Sequence, residues 1–147
     1  MADEEIFVSL AAYRDPQGPE TVRNLYTNAC FPGRIRVGAL WQILPDVDED
    51  CRPPAELPEG VRGRVIDARE SRGACWARAW IQAELYRGEA FFLQIDSHMR
   101  FVEGWDERLL AMWRALANPR AVLTYYPPPY TREGGLCLLY TSDAADE

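Results

Sequence analysis

A chain of 147 residues is long enough for one domain with a core and too short for two ordinary ones. Hydrophobic residues make up 48% and charged residues 27%, a globular balance that excludes a disordered chain. The net charge of -7, with arginines scattered between Arg14 and Arg132 rather than clustered, argues against a nucleic-acid partner but leaves room for one small anion such as a nucleotide diphosphate.

Glu5–Ala12 (EIFVSLAA) is apolar and bounded by polar residues, which predicts a buried first strand. The turn Asp15-Pro16-Gln17-Gly18-Pro19 follows, and Pro19 suits the first position of a helix. That helix places Val22, Leu25, Tyr26 and Ala29 on one face and ends at Pro32-Gly33. Arg34–Gln42 is the second predicted strand. Pro45–Gly60 is a proline-rich acidic connector. Its carboxylates Asp46, Asp48, Glu49 and Asp50 lack the fixed spacing and distal Glu of a calcium loop, so a solvated surface loop is expected.

Val61–Asp67 gives a third strand, and Gly73–Arg87 a helix with Ala77, Ile81 and Leu85 on one face. Trp76 and Trp80, four apart, are read as core rather than as a sugar platform. Ala90–Ile95 is apolar but for Gln94, which is read as the mark of a central strand covered on both faces. A helix over Trp105–Leu116 and a strand over Ala121–Tyr126 complete the series. Strands alternating with helices predict an α/β fold with a mainly parallel sheet.

No apolar run approaches the roughly 18 residues of a membrane span, so no membrane partner is expected. The acidic start Met1-Ala2-Asp3-Glu4-Glu5 is the opposite of a signal peptide's basic region. Cys30, Cys51, Cys75 and Cys137 form no CxxC pair and no zinc spacing, which favours a reduced, cytoplasmic setting.

The sharpest chemical signal is Gln94-Ile95-Asp96-Ser97-His98, at the carboxyl end of the apolar strand. Ligands of open α/β sheets bind at that edge. Asp supplies a hard oxygen and His a borderline nitrogen, a mixture suited to manganese, magnesium or zinc. The competing account is a strand-end Asp that caps a turn, with His98 packed nearby. His98 is the only histidine in the chain, which counts against a preformed zinc site. Arg69-Glu70-Ser71-Arg72-Gly73 precedes a helix N-terminus, where free N–H groups favour an anion and Gly73 permits close backbone approach. Arg69 and Arg72 are equally compatible with surface arginines paired to Glu70 or solvent.

The run Phe91–Phe101 (FFLQIDSHMRF) followed by Gly104-Trp105-Asp106 resembles the glycosyltransferases that modify Skp1-type proteins with N-acetylglucosamine. More distantly, it is similar to the polypeptide N-acetylgalactosaminyltransferases, which also carry an Asp-x-His metal motif. The resemblance extends to Ile6–Asp15, Arg34–Gln42, Arg69–Arg78 and Ala121–Tyr126 with the prolines after it. It implies a GT-A fold, a UDP-N-acetylglucosamine donor, Mn2+ or Mg2+ as cofactor and a protein acceptor hydroxyl, such as hydroxyproline. Asp96 and His98 take the metal-ligand positions. Ser97, Arg72 and Gly73 fall on the nucleotide-sugar side, and Ala12, Tyr13 and Gln42 lie where a uridine ring would be held. Such families bring a third ligand, often a histidine, from later in the chain; this sequence has none. Related enzymes retain anomeric configuration, and no catalytic nucleophile can be named.

Cys137–Glu147 (CLLYTSDAADE) resembles translated sequencing-adapter read-through. The expected organisation is therefore a partial GT-A domain over 1–136 and an adapter-like tail over 137–147, with the C-terminal part of the enzyme missing. The alternative function is a non-catalytic α/β nucleotide- or ion-binding module. A nucleotidyltransferase ranks last, because its chemistry wants a second carboxylate where His98 stands.

Overall fold

The structure, a computed structural model, describes residues 4–131. The chain divides into two units, Met1–Glu107 and Arg108–Glu147. The first holds four strands, β1 (Ile6–Tyr13), β2 (Ile35–Ile43), β3 (Val61–Asp67) and β4 (Phe91–Asp96), with helices α1 (Gly18–Thr27) and α2 (Ala74–Leu85) between them. Every pairing is parallel and the strand order is β3-β2-β1-β4. The expected α/β architecture with a parallel sheet is present.

The two central strands are buried along nearly their whole length, and the reason lies in what covers each face. Successive strand residues point to opposite faces. A Cβ on Gly18 in the first turn of α1 would stand 2.9 Å from the Trp41 ring and 3.5 Å from the Ala12 Cβ, so α1 lies over that face. On the other face Phe7 and Leu40 cluster with Ala77 and Ile81 of α2. Gly38 makes that packing possible, because a Cβ there would come within 2.3 Å of the Phe7 ring. Trp76 and Trp80 are partly buried against the same cluster, as expected for core residues.

Three expectations need correction. β4 is not central: it pairs with β1 alone among the described residues, and Phe92, Gln94 and Asp96 are exposed. These three share one face of the strand, which is left open, while Ile95 on the other face is buried. Ala121–Tyr126 forms no strand among the described residues, and Val122, Tyr125 and Tyr126 are largely exposed. The acidic connector is not wholly solvated, because Asp48 and Cys51 are buried. The adapter-like tail, Cys137–Glu147, lies outside the described residues. No helix among the described residues is long and apolar enough to cross a membrane.

Helix α3 (Trp105–Ala115) begins in the first unit, and its second residue organises the link between α1 and β2. Asp106 is fully buried. It accepts from the backbone N–H of Cys30 (2.8 Å) and Phe31 (3.0 Å), and from Arg34 Nη2 (2.8 Å) and Nε (3.2 Å). Burial pushes this carboxyl up, but those four donors outweigh it and hold it below its ordinary value of 3.8. A depressed carboxylate stabilises the fold fully above its unfolded value and loses that contribution as pH falls through the folded one. Asp106→Ala leaves the Cys30 and Phe31 N–H groups without their acceptor and Arg34 with only Glu107 and Glu4 as counter-charges, and should cost about 3 kcal/mol. Urea unfolding at pH 7 checks this, and the difference from the parent should shrink on titration below pH 4. A loss under about 1 kcal/mol at pH 7 contradicts the assignment.

Candidate active site at the carboxyl edge of the sheet

The chain runs β1 to β2 to β3 in one direction, then returns to place β4 on the other side of β1. That reversal opens a crevice outside the carboxyl ends of β1 and β4, the position where open α/β sheets hold ligands. Register sets what stands there: Ala11 is opposite Asp96 across the β1–β4 ladder, and Tyr13 is opposite Gln42 across β1–β2.

Asp15, in the turn after β1, joins the two sides. Its Oδ1 accepts from the N–H of Gln17 at 2.8 Å, which shapes the entry to α1. Its Oδ2 accepts from Ser97 Oγ at 2.5 Å and contacts His98 Nδ1 at 2.9 Å. Burial raises the Asp15 carboxyl, but the Ser97 hydroxyl, the Gln17 N–H and His98 together leave it below its ordinary value. An ionised carboxylate only accepts, so Nδ1 of His98 is the donor in this contact. This is how a carboxylate orients a metal-binding histidine.

The segment after β4 is sewn to α1 by side chains. Thr21 Oγ1 donates to the Ser97 carbonyl (2.6 Å) and accepts from the Met99 N–H (3.0 Å). Asn24 Oδ1 accepts from the Phe101 N–H (2.6 Å), and Asn28 Nδ2 donates to the Phe101 carbonyl (2.5 Å). The loop carrying Ser97 and His98 is therefore held by polar residues of a helix that starts from the same turn as Asp15.

Asp96 and His98 are both open to solvent, with side chains 60% and 61% exposed. They do not share a partner. Asp96 Oδ1 accepts from Arg78 Nη2 of α2 at 3.1 Å, whereas His98 meets Asp15. A carboxylate oxygen and an imidazole nitrogen are donor types that divalent ions accept, and here each turns to its own partner. Among the described residues no group of three or more His, Cys, Asp or Glu side chains could hold a metal ion.

Of the residues expected near a base, Ala12 is buried and Tyr13 is exposed at the strand end. Gln42 is 2% exposed. Its Nε2 donates to the Ala12 carbonyl at 3.3 Å, and its Oε1 has no hydrogen-bond partner among the described residues. A buried acceptor without a donor is a cost that a ligand N–H can remove. Arg14, with φ +48°, turns outward and binds Asp48 through Nε (2.7 Å) and Nη2 (3.1 Å). This pairing holds the Asp48 carboxyl below its usual range.

Arg72 lies elsewhere. It lines a pocket of about 550 Å³ with Arg64, Arg69, Trp76 and Trp80, and none of Ala12, Tyr13, Gln42, Asp96, Ser97 or His98 borders it. Arg69 is occupied by Asp67, at 2.9 Å through Nε and 2.6 Å through Nη2, which lowers that carboxyl to about 2. Gly73 precedes α2 at φ +92°, a conformation natural to glycine, with no atom within 4 Å of a built Cβ. Sequence reasoning missed Asp15 and Arg78. Asp15 was visible only as a turn former, because its partners lie 82 and 83 residues away.

A sequence model of the family described as Glycosyltransferase (GlcNAc) matches residues 5–58 and 47–145. No curated protein and no solved structure matches the chain.

Asp15→Ala removes the acceptor that fixes the His98 tautomer. Nitrogen NMR of the neutral imidazole should show the Nδ1–H form dominant in the parent and a shift towards the Nε2–H form in the variant. Identical tautomer populations in the two proteins contradict the orienting role.

Proposed function

Because the chain belongs to the glycosyltransferase (GlcNAc) family, we propose that it carries the donor-binding machinery for transfer of N-acetylglucosamine from UDP-N-acetylglucosamine to an acceptor hydroxyl on a protein. In this reading Asp96 and His98 hold a manganese-like ion in a GT-A-type site, and the setting is cytoplasmic. The observation that carries it is the meeting of Asp15 with Ser97 and His98 where the strand order reverses, one residue from Asp96.

Held by Asp96 and His98, such an ion would supply positive charge that stabilises a departing diphosphate. The chain's own residues supply the rest. Asp15 retains the Nδ1 proton and leaves Nε2 of His98 as the donor atom. Asp96 contributes a solvent-facing carboxylate at the strand end. Gln42 Oε1, buried and unpaired among the described residues, offers an acceptor to the imide N–H of a uracil. Tyr13, exposed beside it in register, offers a ring for stacking. Arg72 and Gly73 receive no step, since Arg72 lines a pocket that these groups do not border.

Calorimetric titration with UDP, ADP and GDP in Mn2+ tests the reading. UDP should bind at least about tenfold more tightly than the other two, the worth of one well-placed hydrogen bond. Asp96→Ala and His98→Ala should each abolish the manganese dependence with a cooperative fold retained. Parent-like binding in either variant contradicts the metal assignment, and equal affinity for the three diphosphates contradicts the uridine assignment. Outright unfolding of Asp96→Ala makes that carboxylate a structural cap instead.

A further inference from the structure

Arg78 is the one arginine that reaches the Asp-x-His segment by a described side-chain contact, and its setting is unusual for a surface ion pair. Its Nη2 donates to Asp96 Oδ1 at 3.1 Å. Its Nε is buried and has no hydrogen-bond partner among the described residues. The guanidinium is thus drawn partly out of water, with one carboxylate as its described counter-charge and one donor still unsatisfied. Trp76 and Trp80 stand two residues to either side on α2, about 200° around the helix from Arg78. They face the arginine-lined pocket, so the helix presents Arg78 to Asp96 on its opposite flank.

We propose that Arg78 is a counter-ion that exchanges partners: it holds Asp96 in the ligand-free chain and passes to the anionic diphosphate when Asp96 takes a divalent cation. This rests on the reading of Asp96 as a metal ligand. One carboxylate cannot serve a guanidinium and a divalent ion at full strength, because the two cations repel at that separation. Metal alone must therefore displace Arg78 without giving it another anion. Metal arriving with a diphosphate supplies that anion, and the unsatisfied Nε–H gains an acceptor of the kind guanidinium groups favour. Arg78 consequently weakens binding of the ion by itself and strengthens the dependence of ion and diphosphate on each other. It is a positioning residue for the donor complex.

The test uses the full 147-residue chain, with free Mn2+ followed by electron paramagnetic resonance and UDP by calorimetry, each with and without the other ligand. Arg78→Gln removes the charge and keeps a polar side chain. It should bind Mn2+ alone several-fold more tightly than the parent, while the factor by which Mn2+ improves UDP binding falls about tenfold. Arg78→Lys keeps the charge and should retain the parent's weak binding of Mn2+ alone. Asp96→Asn separates this inference from the reading beneath it. If Asp96→Asn abolishes Mn2+ binding but Arg78→Gln changes neither quantity, the partner exchange is wrong and the metal site stands. If Asp96→Asn binds Mn2+ as the parent does, or the parent binds it neither alone nor with UDP, both are overturned. Weaker Mn2+ binding in a folded Arg78→Gln also overturns the exchange, since it makes Arg78 a simple support for Asp96.

Discussion

Parallel pairing on both sides of β1 is the constraint from which the site follows. A strand hydrogen-bonded to β2 on one side and β4 on the other must deliver its carboxyl end beside theirs. Parallel neighbours can be joined only by crossovers, so every turn leaving the sheet's carboxyl edge begins a connection that has to travel. The turn after β1 brings Asp15 and the turn after β4 brings Ser97 and His98, and these meet because no strand stands between them. Hydrogen bonds to Thr21, Asn24 and Asn28, some donated and some accepted by these side chains, then make the second turn a dependant of α1. Local chemistry at Asp15 thus acts across 83 residues of sequence.

The electrostatics follow one pattern. In an acidic chain, carboxylates drawn out of solvent each find an arginine: Asp48 with Arg14, Asp106 with Arg34, Glu89 with Arg62. Backbone N–H groups complete all three shells, at Leu44 for Asp48, at Cys30 and Phe31 for Asp106, and at Arg87 for Glu89. Asp96 departs from this pattern, because it is the exposed partner while Arg78 carries the buried atom. Asp15 departs in another way, with a serine and a histidine where an arginine stands elsewhere. Both departures fall at the same crevice.

Much of the fold could be read from residue pattern. The apolar runs at Ile6–Tyr13 and Ile35–Ile43 and the helical spacing of Val22 and Leu25 depend on burial alone, and burial leaves its mark on composition. Strand order leaves no such mark. Ala90–Ile95 reads as central because its residues are mostly apolar, yet the strand pairs with β1 alone among the described residues, and Phe92 and Gln94 on its open face are exposed. Val122, Leu123, Tyr125 and Tyr126 have strand-like side chains, yet among the described residues they form no strand. At the site, Asp96 and His98 were legible because they share one short segment at a strand end. Asp15 and Arg78 were not, since their partners are set by which turns become neighbours and which flank of α2 faces β4.

The central claim is that His98, oriented by Asp15, joins Asp96 in holding a divalent cation with a nucleotide diphosphate. The chain contains a single histidine, so any imidazole nitrogen coupled to a bound manganese ion must come from it. Pulsed electron paramagnetic resonance of Mn2+ in the presence of UDP reads that coupling directly. The account predicts an imidazole nitrogen signal together with phosphorus coupling, with the nitrogen signal absent in His98→Ala. Manganese bound to UDP on this protein with phosphorus coupling and no imidazole nitrogen contradicts it.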